Sequence, residues 1–127
     1  MVVARVARNR DMAREYVTSA AAALRHRNDL ADVEKYCMFI GYPRSGHSLV
    51  GALLDAHPDA VVAHELDAIR FLRARFRRAQ IFALILEKSR ADAAAGRVWG
   101  DYAYAVDGQW QGRHRRLRVI GDKKGGR

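Results

Sequence analysis

Cysteine occurs once in the 127 residues, proline twice, and no apolar run reaches the length of a membrane span. A single cysteine, Cys37, excludes an internal disulfide. It sits in the apolar run YCMFI, where a buried packing residue is expected. Residues 1–34 contain neither glycine nor proline, so they are expected to form a helical extension of one or two helices around DMAREYVTSAAAALRHR. The opening MVVARVARNRDMAREY has too little continuous apolar sequence for a signal peptide, and its acidic residues disfavour a transit peptide. A cytoplasmic location is the expectation. No His/Cys cluster has metal-ligand spacing, and no apolar run ending in aspartate marks a magnesium site, so no metal is expected. Internal repeats and low-complexity linkers are also lacking.

What is present is a globular composition, 50% hydrophobic, with 23 Lys and Arg against 14 Asp and Glu. That excess favours an anionic partner: a nucleotide, a nucleic acid, an acidic lipid face, or a sulfated or phosphorylated substrate. Charge alone does not choose among them. The length suits one small domain over 1–127.

Tyr36 to Ile40, closed by Gly41 and Pro43, has the pattern of a buried strand entering a turn. From Ser48, the spacing of Leu49, Val50, Leu53 and Leu54 predicts an apolar helix face ending near His57-Pro58. Ala60 to Ala63 is a second strand candidate. Leu66 to Ala95 is helical in composition, divided into more than one helix, with Arg70, Arg73, Arg75, Arg77 and Arg78 in its first half. Residues 99–112 look like a loop with a short strand at Tyr102. Leu117 to Ile120 is a third strand candidate, broken by Gly121. Alternating helices and strands predict an α/β fold: three-layer, a parallel sheet flanked by helices, of the P-loop nucleotide-binding type.

The segment Gly41-Tyr42-Pro43-Arg44-Ser45-Gly46-His47-Ser48 lies between the first strand and the apolar helix. Glycines there let several backbone N–H groups turn toward one anion, and the following helix adds its positive dipole end. The string nearly matches G-x-x-x-x-G-K-[ST], with His47 in the lysine position, while Arg44 offers a fixed charge within the loop. A plain strand-to-helix turn is the alternative.

The stretch FIGYPRSGHSLVGALLDAHPDAVVAHE resembles the donor-binding segment of sulfotransferases, most closely tyrosylprotein sulfotransferases and related bacterial ones. Pro43, Arg44, Ser45, Gly46, Leu49, Leu54, Asp55, His57 and Pro58 fall on that family's pattern; His47-Ser48 replaces its usual Thr-Thr. The resemblance covers residues 36–65 well, 117–126 loosely, and the first 34 not at all. It implies that the chain binds the donor 3′-phosphoadenosine 5′-phosphosulfate in a core at 36–65 and transfers its sulfuryl group to an acceptor hydroxyl. Arg44, Ser45, Gly46, His47 and Ser48 would hold the 5′-phosphosulfate. Counting from His57-Pro58, Glu65 falls on the family's catalytic base, with His64 the neighbouring candidate. The alternative for Glu65 is a helix-start carboxylate. Lys123, in VIGDKKGG, resembles the lysine that stabilises the transferring group; a solvated basic tail is its alternative. His57 is expected to be a helix-terminal structural residue. The arginines at 70–78 suggest a solvated helix face or a surface for an acidic acceptor.

The family's 3′-phosphate and adenine elements have no counterpart here, and its members are longer. The expectation is an incomplete domain, inactive or impaired alone, with exposed apolar edges and possible self-association. The acceptor class stays open, and no nucleic-acid partner is expected. The rival readings are a P-loop kinase or nucleotidase, and a basic module binding nucleic acid or an acidic surface.

Overall fold

The computed structural model describes residues 1–125. The breaker-free N-terminal sequence forms α1 (Val2–Arg25), followed by the single turn of α2 (Arg27–Leu30). α1 meets the rest of the chain mainly through α5 (Arg78–Ala94): Ser19 and Ala22 are buried, and the Gln80 side-chain amide donates to the Tyr16 carbonyl at 2.9 Å. Tyr16 also packs edge-on against Phe76, with ring centroids 5.1 Å apart.

β1 (Lys35–Gly41), β2 (Ala60–His64) and β5 (Val119–Gly125) form a three-stranded parallel sheet in the order β1-β5-β2, so the last strand in the chain is central. Lys123 stands opposite both Phe39 and His64; Asp122 stands opposite Met38 and Ala63. Side chains alternate along a strand, so this register divides the sheet into two faces. Val61, Ala63 and Ile120 face α4 (Ala68–Arg73) and α5, and the main core lies there, with Phe71, Phe76, Phe82, Ile85 and Leu86. α3 (His47–Asp55) covers the opposite face over Phe39 and Lys123. The chain is thus a mixed α/β protein with helices on its parallel sheet. β3 (Val98–Trp99) and β4 (Tyr102–Ala103) make a short antiparallel pair. Among the described residues, no helix is long and apolar enough to cross a membrane.

Some expectations change. β5 runs through Gly121 instead of breaking there. A Cβ at that position would collide with the carbonyl oxygen and Sγ of Cys37 on β1, so close strand approach requires the glycine. Lys123 therefore lies inside the central strand and is buried, which overturns the solvated-tail reading. The predicted apolar face of α3 is not its buried face. Gly51, Ala52 and Asp55 are buried while Leu49, Val50, Leu53 and Leu54 stay exposed. Small residues let the helix lie close to the sheet: a Cβ on Gly51 would be 3.4 Å from Phe39 Cζ and 3.6 Å from the Lys123 side chain.

Candidate functional site

Ligands of parallel α/β sheets gather beyond the carboxyl ends of the strands. Here those ends carry the loop after β1, the turn after β2 and the last residues of β5. In the first loop Arg44 (φ 62°) and Gly46 (φ 80°) are left-handed, and the Ser45 N–H donates to the Tyr42 carbonyl at 3.1 Å. The chain thereby curls into α3 with Arg44, Ser45 and Gly46 exposed. No side chain caps the helix, and the N–H groups of His47, Ser48 and Leu49 make no hydrogen bond among the described residues. Unpaired N–H groups and the helix dipole together favour an anion at this end.

The Lys123 ammonium comes up beneath the loop. Its Nζ donates to Ser48 Oγ at 3.1 Å and to Glu65 Oε1 at 3.1 Å, although the side chain is only 1% exposed. A lysine has three donors, and the third has no partner among the described residues. Burying an ammonium is costly unless it is paired, and the Glu65 carboxylate supplies that pairing.

Glu65 adopts a left-handed conformation (φ 53°) in the turn leaving β2. Its N–H donates to the Lys123 carbonyl at 2.8 Å, and its Oε1 also accepts the Gly125 N–H at 3.0 Å. Partial burial pushes its carboxyl up, but Lys123 and the Gly125 N–H outweigh that and hold it below the usual glutamate range. The side chain is half exposed and lines a cleft of about 790 Å³ with Ile40, Asp67, Arg70, Arg73 and Lys124. The helix-start alternative for Glu65 does not hold. Its carboxylate turns to β5, and Asp122 instead accepts the N–H groups of Leu66 and Ala68 at 3.0 and 2.9 Å.

His64 lies across from Lys123 and is stacked flat on Trp99, with centroids 3.8 Å apart and planes 12° apart. Burial, helped by the Lys123 charge, lowers its pKa to about 4. His47 has its ring wedged between strand ends: a Cβ on Gly41 would come 2.6 Å from His47 Cβ, and one on Gly125 would come 3.3 Å from its Cε1. Its Nδ1 is buried without a partner among the described residues.

Of the other sequence candidates, His57 uses Nδ1 to accept the Asp59 N–H at 3.0 Å, a local turn role. Arg70 pairs with Glu15 at 3.1 Å, and Arg73, Arg75, Arg77 and Arg78 are exposed. Sequence reasoning missed the structural parts of Asp122 and of Asp55, which is buried with Ser89 and Arg97 at the far end of α3. Among the described residues, no group of His, Cys, Asp and Glu is placed to hold a metal ion.

The loop, Ser48, Lys123 and Glu65 thus form one cluster able to receive an anion beside a carboxylate. Compared with known proteins, the chain matches no family model, no curated protein and no solved structure.

Proposed function

We propose that this cluster is the donor site of a sulfotransferase, which moves a sulfuryl group from 3′-phosphoadenosine 5′-phosphosulfate to an acceptor hydroxyl. The observation that carries the reading is the buried Lys123 ammonium, joined at 3.1 Å to both Ser48 Oγ and Glu65 Oε1. It ties the loop to a carboxylate at the carboxyl edge of the sheet. The N–H groups of residues 47–49, the Arg44 guanidinium and the Ser45 and Ser48 hydroxyls are the groups that would hold the 5′-phosphosulfate.

In the transfer, the bond from sulfur to the bridging phosphate oxygen breaks as the acceptor oxygen bonds to sulfur. Negative charge builds on the bridging oxygen, where Lys123 is the available cation. The acceptor proton passes to a base, and Glu65 suits this better than His64. Glu65 is open to the cleft, whereas the His64 ring is covered by Trp99. Lys123 also depresses Glu65 while the two are paired. Turning that ammonium toward the donor releases the carboxylate, so donor binding and basicity are coupled. A sulfuryl group carries less charge than a phosphoryl group, so these cations suit it without a magnesium ion.

Calorimetric titration with the donor and with its desulfated 3′,5′-bisphosphate tests the reading. Saturable binding is expected, weakened roughly tenfold or more by Lys123→Met, as for loss of a charged hydrogen bond. A wild-type protein that binds neither nucleotide, or a variant that binds both unchanged, overturns it.

A further inference from the structure

The turn that delivers Glu65 is unusual in its backbone. Glu65 (φ 53°) and Asp67 (φ 62°) are both left-handed, a conformation disfavoured for a non-glycine residue. Such strain persists only where the surroundings hold it. The Asp67 side chain does not cap α4; it pairs with Lys124 Nζ at 2.6 Å. What holds the turn is a carboxylate 54 to 56 residues away in sequence. Asp122 is wholly buried in β5, its Oδ1 accepting the Leu66 N–H at 3.0 Å and its Oδ2 the Ala68 N–H at 2.9 Å. Next along the strand, the Lys123 carbonyl accepts the Glu65 N–H at 2.8 Å, and its ammonium takes the Glu65 carboxylate.

We propose that Asp122 is a positioning residue for Glu65: its two oxygens clamp the 65–68 turn in its left-handed form, so that the Glu65 carboxylate is delivered to Lys123. That Glu65 serves a reaction rests on the functional reading above; the clamp itself rests on geometry. Adjacent residues of β5 then divide the work by face. Asp122 shapes the turn from the α4 face, and Lys123 meets the carboxylate from the α3 face. Burial raises the Asp122 pKa, and the turn N–H groups draw it partly back. Of the titratable groups near it, the Tyr36 hydroxyl on β1 feels the Asp122 charge, which with burial pushes that phenol up.

The test is a carbon-detected NMR titration of the Glu65 carboxyl, assigned with Glu65→Gln, in wild type and in Asp122→Asn. An asparagine keeps the shape but sets an NH₂ against one of the N–H donors. Glu65 should then titrate closer to an ordinary glutamate, and adding Asp67→Gly, which removes a left-handed side chain, should move it back. An unchanged Glu65 titration in folded Asp122→Asn overturns the proposal. Should that variant not fold, the wild type supplies the readout. The Leu66 and Ala68 amides should lose exchange protection, and Glu65 should shift, as Asp122 takes up its proton. Amides that stay protected through that step overturn it. No nucleotide enters these measurements. Absent donor binding with a shifted Glu65 would therefore sink the functional reading and leave the clamp standing.

Discussion

The two ends of α3 differ in how completely their polar groups are satisfied. At the C-terminal end Asp55 is fully buried and saturated: it accepts the Val62 N–H at 2.7 Å and the Ser89 hydroxyl at 3.1 Å, and it pairs with the buried Arg97, whose buried Nε lacks a partner among the described residues. Burial still raises its pKa to about 6, and Arg97, the Val62 N–H and Ser89 draw it down from higher. At the N-terminal end, among the described residues, the N–H groups of residues 47–49 make no bond and His47 Nδ1 has no partner, while Arg44 lies in the open. One helix nine residues long is closed at one end and left open at the other. Buried polar groups are usually paired, so the pairing at Asp55 is what stability requires. The open end faces solvent, and on the proposed reading a bound anion would pair it.

The largest effect should come from breaking the closed end. Arg97→Met leaves Asp55 buried without a counter-charge and should cost about 3–5 kcal/mol in urea denaturation. Adding Asp55→Leu removes the stranded carboxylate and should recover most of the loss. If the single variant is as stable as wild type, the network does not hold α3 to β2 and α5, and the contrast between the ends fails.

Which parts of this were legible in sequence follows from the range of the forces involved. β1, β2 and the division of 66–95 into α4 and α5 rest on local apolar runs and punctuation, and they were readable, although β1, expected as a buried strand, is an edge strand whose residues are exposed or half-buried. Gly121 was misread as a breaker because its reason, the Cys37 backbone, lies on another strand. The α3 stripe was misread because apolar spacing identifies a face without saying which face is buried. Here Gly51 and Ala52 win by allowing close approach. Asp55, Ser89 and Arg97 meet across 34 to 42 residues and carry no local signal. Arg44 to Ser48, Glu65 and Lys123 were readable as a candidate set through resemblance. The Lys123 contacts that join Ser48 and Glu65 were not.

At the open end, Arg44→Ala should leave stability unchanged, since the side chain is exposed. It should weaken binding of a 5′-phosphorylated nucleotide by roughly tenfold, as expected for a charged hydrogen bond of about 1.5–3 kcal/mol. Unchanged affinity would detach the loop from the donor site. A smaller effect belongs to His64, half buried between the two ends. Its pKa falls from 6.5 to about 4 in the folded protein, so the unfolded chain binds the proton more readily across that window. Stability should therefore fall as pH drops through that range, and His64→Gln should flatten the slope. Identical slopes in both proteins would mean that the ring is as hydrated folded as unfolded.

The smallest and most local effect is expected at Gly46, the residue that turns the chain into the open end of α3. Its φ of 80° is left-handed, and nothing lies within 4 Å of where a Cβ would stand. Gly46→Ala therefore meets no steric clash, and its cost is the backbone conformation alone, about 1 kcal/mol. Two responses are possible, and they read out differently. If the loop keeps its shape, denaturation shows that loss while nucleotide affinity is retained, because the N–H groups of residues 47–49 still converge. If the loop relaxes to an ordinary negative φ, most of the stability returns, but the N–H groups and Arg44 no longer address one point, and affinity falls instead. The first outcome is expected, since His47 is wedged between Gly41 and Gly125 and Ser48 is held by Lys123, which together fix where the helix begins. Loss of neither stability nor affinity would mean that the left-handed turn does not shape the anion end of α3.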